Sequence, residues 1–486
     1  MTLRLLPLFL LSVVMNSACD EPPGEGEGEG EGEGEGEEGE GEPAVPLKNA
    51  TKGGAIAVDE AGTTVAAANK ATGDVTFFDV TDPLAPVERA RVVTGGEPVS
   101  VSFANNGVVY VVDKFGGVVV EVTGATGAAP AVGRSVAVGD EATQAALAPS
   151  GTRLYVTSFV TGNVAVVDTA SMTVTSTIHT GGNPSGVCVS NDGDADDDDE
   201  AVFVTDFYAR AIVIPGVVEA KDDSRFGRVF KINPADETVS ALQLLPVLTS
   251  GVPGFEASGM FPNQLSSCAV NLGRVYVANV GASPAGFNGT TDFHQNVQGL
   301  VSVLDALTGD EVLSDSLNVN AAVAAQAGDK RFGSVLVDLA FVAGSEIGYV
   351  VSLAADAAYR IDFGPEVPVV GAAGISNFLK TGKSPTGIAV RGTTAWAYNE
   401  VSRSISVIDL GAQTTVVENL PSAPQPTDPT ELAALNGQRF FNTGNARWSD
   451  KAWVSCAACH PGGTTDNVTW SFPTGPRQSQ IGRAHV

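Results

Sequence analysis

The chain has 486 residues, of which 43% are hydrophobic and only 17% are charged. That length is sufficient for two or three domains and a large hydrophobic core. Acidic residues outnumber basic residues by 56 to 27, which gives a formal net charge of −29. Because nonspecific nucleic-acid binding depends on a basic surface, this balance excludes that class of function.

Residues 1–19 predict an export signal. Arg4 precedes an apolar run that is too short for a membrane-spanning helix, and small residues follow it. The ending Ser-Ala-Cys resembles a bacterial lipobox, although Asn16 stands where that motif has an aliphatic residue. The resemblance implies that Cys19 is lipidated and anchors the protein in the periplasm or outer cell envelope. Simple cleavage of the signal is the alternative.

Residues 20–45 are dominated by alternating Gly and Glu. This composition offers nothing to bury, and its like charges repel one another. The segment is therefore predicted to be a disordered tether between the signal and the folded part of the chain.

Residues 46–421 contain a repeat of about 40 to 50 residues, stretched where insertions fall. Each repeat has a Val-rich or aromatic strand, a turn, and a further strand that ends near a polar residue. Strand-like alternation without helical periodicity predicts four-stranded blades arranged in a ring. The closing residues, interpreted as turn caps, are Asp79, Glu121, Asp168, Asn233, Asp305, Asp362 and Asp409.

The segment Leu154–Ser158, followed by Thr-Gly-Asn-Val-Ala-Val-Val-Asp, resembles the YVTN-type β-propeller family. The predicted fold class is all-β, an approximately seven-bladed β-propeller followed by a small, incomplete α-helical cytochrome c domain over 422–486. Propeller topology puts the insertions 209–226 and 280–298 on one face, together with the connections 251–262 and 322–332.

The acidic loop around Asp192–Glu200 is predicted to lie on the opposite face. Its alternating carboxylates at Asp192, Asp194, Asp196 and Asp198 are a weak candidate site for Ca²⁺, which prefers oxygen ligands. The loop lacks the glycine and the distant glutamate of a calcium hand, so a solvated acidic hairpin is the main alternative.

The strongest motif is Cys456-Ala-Ala-Cys459-His460. Two thiols at this spacing can form thioethers to one haem, and the adjacent histidine is then placed as an axial iron ligand. A redox disulfide and a zinc site are the alternatives, but a βαβ pattern and further suitable ligands are missing. Upstream, Asp428 and Pro429 predict the start of a helix after a Pro-rich linker.

Residues around this motif, Asn436–Phe441, Arg447–Ser449, Asp466, Trp470 and Gly475–Arg477, resemble the first haem domain of the di-haem cytochrome c peroxidase family. The resemblance implies covalent haem on Cys456 and Cys459, with His460 as the proximal ligand. The second CxxCH motif of that family is missing. The terminal Ile481–Val486 back-translates to a sequencing adapter, so we expect the natural chain to continue past Gln480.

Few residues are candidates for a sixth iron ligand: Met260 and His294, and less plausibly Met172 and His179.

Cys188 and Cys268 occupy the inner strands of adjacent blades. Their positions differ by about one residue, which is predicted to point them to opposite faces, so two buried free thiols are favoured over a disulfide. Trp448, Trp453 and Trp470 either cover a macrocycle or form a small core.

The leading functional interpretation is an exported c-type haem protein with electron-transfer or peroxidase-like activity. Its partner would be a redox protein or a small-molecule oxidant. The alternative is a non-enzymatic surface lipoprotein whose propeller binds a ligand or a protein. In a third interpretation the propeller itself is catalytic, but fold alone cannot supply a function.

Overall fold

The computed structural model describes residues 47–479, apart from 195, 214–218, 251–257, 286–295, 373–376 and 450. The predicted signal with Cys19, the whole predicted tether, and His294 therefore lie outside the described residues. Among those described, no helix is long and apolar enough to cross a membrane.

Seven antiparallel sheets form the blades of a ring, and consecutive strands of each sheet are neighbours. The strands of the first three blades are Ile56–Val58, Thr64–Asn69, Asp74–Asp79 and Val87–Val93; Pro98–Phe103, Val109–Asp113, Val118–Thr123 and Ala131–Ala137; Ala142–Leu147, Arg153–Ser158, Asn163–Asp168 and Thr173–His179. Those of the fourth and fifth are Pro184–Val189, Val202–Ala211, Arg225–Ile232 and Val239–Leu244; Val247–Ser250, Ser258–Asn271, Arg274–Ala282, Val297–Asp305 and Leu317–Asn318. Those of the sixth and seventh are Leu336–Phe341, Ile347–Ser352, Ala357–Asp362, Val369–Val370 and Leu379–Lys380; Pro385–Arg391, Thr394–Asn399, Ser404–Asp409 and Thr414–Pro421. The prediction of an all-β propeller with about seven blades is confirmed.

Hydrophobic side chains fill the gaps between neighbouring blades. The ring closes where Trp396 and Tyr398 of blade 7 pack with Val65 and Phe78 of blade 1. Hydrogen bonds between Asn69 of blade 1 and Ser422, just after the last strand, reinforce this closure.

The predicted turn caps are confirmed at most of the closing residues. Asp79, Asp168, Asn233, Asp305, Asp362 and Asp409 each accept a backbone N–H from the turn that follows. Glu121 differs, because it lies within the strand Val118–Thr123 and pairs with Arg134. Sequence position alone could not distinguish a capping carboxylate from one that pairs across the sheet.

The segment before blade 1 enters the central channel. Its short strand Thr51–Lys52 pairs with the innermost strand of blade 4, Pro184–Val189. From there Lys52 Nζ reaches Asp338 on the innermost strand of blade 6, with a nitrogen–oxygen distance of 2.8 Å. Asp338 is 1% exposed and also accepts a backbone N–H from Ile388 of blade 7. This segment thus connects the inner strands of blades 4 and 6, which are not neighbours in the ring.

The expectation of free thiols at Cys188 and Cys268 is wrong. The two residues form a disulfide between blades 4 and 5, and their Cα atoms are 5.8 Å apart. Two neighbouring blades contact each other through opposite faces of their sheets. A side chain of blade 4 that reaches this contact must therefore point to the opposite face of its sheet from a side chain of blade 5 that meets it. The one-residue offset therefore brings the two sulfurs together, beside Phe203 and Val277 in the same interblade core.

We predict that the disulfide stabilises the ring, because it closes a sequence separation of 80 residues. Reduction of the wild-type protein should lower the free energy of unfolding by about 2–5 kcal/mol. The midpoint temperature, measured with and without reductant, checks this. The C188A/C268A variant is the control and should not respond to reductant, and an equal midpoint for oxidised and reduced wild-type protein would refute the prediction.

Candidate functional site

The C-terminal segment, residues 422–479, packs on one face of the propeller. It contains the helix Pro429–Asn442, the one-turn helix Cys456–Cys459, the 3₁₀ turn Pro461–Gly463, and the hairpin strands Thr469–Phe472 and Gly475–Gln478. The predicted helix start is confirmed, since the Asp428 carboxylate accepts the backbone N–H groups of Thr430 and Glu431.

Backbone contacts identify which face the segment covers. Gly444 N donates to Ala354 O in the turn after Ile347–Ser352 of blade 6, and Ser471 N donates to Pro284 O after Arg274–Ala282 of blade 5. Each of these strands is the second from the channel, because Leu336–Phe341 and Ser258–Asn271 are the innermost strands of their blades. We call this the upper face, defined by the loops between second and third strands. It is the face to which the sequence assigned the insertions 209–226 and 280–298.

Two of the three tryptophans anchor the segment. Trp453 is 1% exposed, donates its indole N–H to Val297 O at 3.0 Å, and contacts Phe332 with ring centroids 4.2 Å apart. Trp470 is also buried, in a core shared with the propeller residues Phe261 and Val280. These two tryptophans therefore hold the segment against blades 5 and 6.

Trp448 and the helix Pro429–Asn442 behave differently. The helix has no buried residue, although it carries Leu432 and Phe440, which are 43% and 57% exposed. Trp448 is 47% exposed, and its ring packs edge-on against that of Phe440 at 5.9 Å. An apolar surface is thus left open on the segment that carries the two C-terminal cysteines.

The one-turn helix Cys456–Cys459 places its two cysteines three residues apart, and therefore on the same face. Neither thiol is in a disulfide; Cys456 is exposed and Cys459 is half-buried. Burial raises the pKa of the Cys459 thiol, with smaller contributions from Asp466 and Cys456, so this group stays protonated at neutral pH. Both residues are therefore free thiols, and Cys456 is the more exposed of the two.

His460 is oriented by the loop that follows it. Its Nδ1 lies 3.0 Å from the carbonyl oxygen of Thr464. A carbonyl only accepts hydrogen bonds, so Nδ1 carries the proton and Nε2 keeps a free lone pair. A metal-binding histidine commonly has this arrangement, in which the second nitrogen donates to a backbone carbonyl.

Asp466 lies behind the cysteine motif. It is fully buried, and its carboxylate accepts hydrogen bonds from Val468 N at 3.1 Å and Trp470 Nε1 at 2.8 Å. Burial raises the pKa of this carboxyl to about 6, against the opposing effect of these hydrogen bonds. Its own backbone N–H donates to Cys459 O, so the aspartate links the motif to the hairpin.

The remaining candidate iron ligands in the described part of the chain lie in structural positions. Met260 is fully buried beside Gly281 in blade 5, and Met172 is in the core between blades 2 and 3. His179 ends the outer strand of blade 3, where its Nδ1 is 2.9 Å from Asn163 Oδ1.

The acidic loop lies on the face opposite the C-terminal segment, beside a funnel of about 1120 Å³. The predicted set of four aspartates is not brought together. Asp194 and Asp196 instead accept the backbone N–H two residues ahead, and Asp198 pairs with Arg153. The oxygens that do approach one another, within 4.8 Å, belong to Asp192, Asp199 and Glu200. Calcium binding stays a prediction.

Two residues that contact the cysteine motif were not found from the sequence. Asn263 and Gln264, on the innermost strand of blade 5, donate their side-chain N–H groups to backbone carbonyls of the C-terminal segment. The sequence placed residues 251–262 in a connection between blades, whereas the inner strand of blade 5 already begins at Ser258 and runs to Asn271.

We predict that Trp453 carries much of the docking energy of the segment. In haem-free protein, the W453A substitution should lower the free energy of unfolding of residues 422–479 by about 3–5 kcal/mol. Limited proteolysis should then cleave residues 422–479 much faster while the propeller resists. W448A removes an exposed tryptophan from the same segment and should leave cleavage unchanged; equal rates for the two variants would contradict the assignment.

Comparisons with known proteins bear on the fold. No family model matches the chain, and no curated protein matches it. Among solved structures, hydrazine synthase from Kuenenia stuttgartiensis is similar over 78% of this chain and 99% of its own, at 14% identity and a TM-score of 0.53. A functionally unknown protein from Desulfotomaculum acetoxidans, at 11% identity and a TM-score of 0.45, matches 77% of this chain and 97% of its own. Apo AztD from Citrobacter koseri, at 10% identity and a TM-score of 0.42, matches 78% of this chain and 96% of its own. At these identities the likeness to hydrazine synthase supports the β-propeller fold and nothing beyond it.

Proposed function

We propose that this protein is an exported c-type haem protein in which the propeller carries a small redox segment. Cys456 and Cys459 hold the haem through thioethers, and His460 Nε2 is the axial ligand. The observation that carries the proposal is the 3.0 Å contact between His460 Nδ1 and Thr464 O, which leaves Nε2 free for iron.

The residues around the motif fit such a group. Zinc is a poorer fit, because among the described residues Cys456, Cys459 and His460 do not gather within ligand distance of one another. The exposed apolar side chains of Leu432, Phe440 and Trp448 offer a surface that a macrocycle would cover. A bound haem supplies a one-electron iron couple, and the chain orients the histidine and shields one side of the site.

The functional class is electron transfer or peroxidase-like reduction of a small oxidant. Both follow from the resemblance of the C-terminal segment to the first haem domain of the di-haem peroxidases. The distinction depends on whether iron keeps an open coordination position, which spectra of the reduced protein with added carbon monoxide would report. Rapid binding of carbon monoxide to the reduced iron favours the peroxidase-like activity, whereas failure of carbon monoxide to bind favours electron transfer.

Export and lipid anchoring belong to the same proposal. The disulfide between Cys188 and Cys268 supports an oxidising compartment, because such bonds persist mainly outside the cytoplasm. With an acylated Cys19, the Gly/Glu tether of residues 20–45 would separate the folded region from the membrane.

Covalent haem attachment is tested by expressing the full chain with haem-maturation machinery. The wild-type protein should show a Soret band and retain haem through acid–acetone extraction. C456A/C459A should lose the extraction-resistant haem completely, because no thioether can form. The matched control C188A/C268A removes the other cysteine pair and should keep the haem, while colourless wild-type protein would overturn the proposal.

Membrane anchoring is tested with C19A in the same host. We expect wild-type protein in the membrane fraction and the variant in the soluble exported fraction, since the lipid supplies the attachment. Labelling with a fatty-acid analogue should mark only the wild type. If C19A sediments with membranes as completely as the wild type does, the lipid-anchor prediction is wrong.

A further inference from the structure

The innermost strand of blade 5 carries a bulge beneath the cysteine motif. Asn263 pairs with Val280, and the next pairing joins Ser267 to Ala278, so the inner strand holds two more residues than its neighbour. Gln264 has a φ of +50°, in the left-handed region that a side chain seldom occupies. Such bulges redirect side chains, and here Asn263 and Gln264 both reach the C-terminal segment.

The contacts made by these two amides bracket the motif. Gln264 Nε2 donates to Ala458 O, between the two cysteines, at 2.7 Å. Asn263 Nδ2 donates to Asp466 O at 3.0 Å, beyond His460, while its Oδ1 accepts Ala209 N at 2.9 Å. The two side chains are 3% and 1% exposed, so losing a partner would leave a buried polar group unsatisfied.

The bulge is itself held from the channel side. Ser267 Oγ donates to Asp338 Oδ1 at 2.7 Å, and Asp338 pairs with Lys52. Thr205 Oγ1 of blade 4 donates to Leu265 O at 2.8 Å. These bonds fix the backbone from which Gln264 projects, as a supporting layer for a functional loop requires.

From this geometry we infer that Gln264 is a positioning residue for the haem, supplied by the propeller. Its hydrogen bond to Ala458 O holds the Cys456–Cys459 turn and thereby sets the orientation of His460 toward iron. The inference rests on the proposed function. It makes blade 5 part of the haem site, so the propeller influences the midpoint potential of the iron in addition to carrying the haem segment.

The test replaces Gln264 with methionine, which keeps the length of the side chain and removes its donor. Gln144→Met is the matched control, because Gln144 Nε2 reaches Ser266 O of the same bulge at 3.4 Å. A histidine ligand whose affinity falls tenfold more for Fe(III) than for Fe(II) would raise the midpoint potential of Q264M by about 59 mV.

Three measurements on the haem-loaded full chain decide the inference: the midpoint potential, the absorption bands of the haem, and amide hydrogen exchange across residues 456–466. We expect Q264M to shift the potential and the bands and to speed exchange in this loop at least tenfold, with Q144M unchanged. A coloured Q264M with the wild-type potential overturns the inference alone, as does an equal shift in Q144M. Wild-type protein without covalent haem overturns the proposed function and this inference with it.

Discussion

Face-to-face packing of sheets is the constraint on which the rest of this structure depends. The inner three strands of each blade are largely buried, so a blade is stable only between two neighbours. Seven such sheets form a closed ring, and the innermost strands then surround a narrow channel. The Cys188–Cys268 disulfide is a covalent link within one of these interblade cores.

The same constraint explains how a short C-terminal segment becomes ordered. On its own, the helix Pro429–Asn442 buries nothing, and the turn Cys456–Cys459 is only four residues long. The segment is instead ordered by Trp453 and Trp470, which extend the cores of blades 5 and 6 beyond the ends of the strands. The haem site we propose is therefore built jointly by the segment and the propeller.

Buried polar contacts fix the position of the C-terminal segment on the propeller. The channel contains a connected set of hydrogen bonds from Lys52 through Asp338 and Ser267 to the blade 5 bulge. From the bulge, Gln264 continues to the carbonyl of Ala458. Hydrophobic burial determines that the segment docks, whereas these buried amides determine the position at which it does so.

Sequence alone determined the features that repeat locally. Strand alternation and turn-capping aspartates such as Asp168 and Asp409 recur with every blade, so the propeller and its blade number could be predicted, as could the helix start at Asp428. The spacing of Cys456, Cys459 and His460 within five consecutive residues predicts haem attachment, and this stays a proposal. Only tertiary structure decided the disulfide, the channel contact of Lys52 with Asp338, and the support from Gln264. The disulfide and the Lys52 contact depend on which strands come face to face, and the support from Gln264 depends on a bulge that shifts the register of one strand. Local periodicity encodes neither.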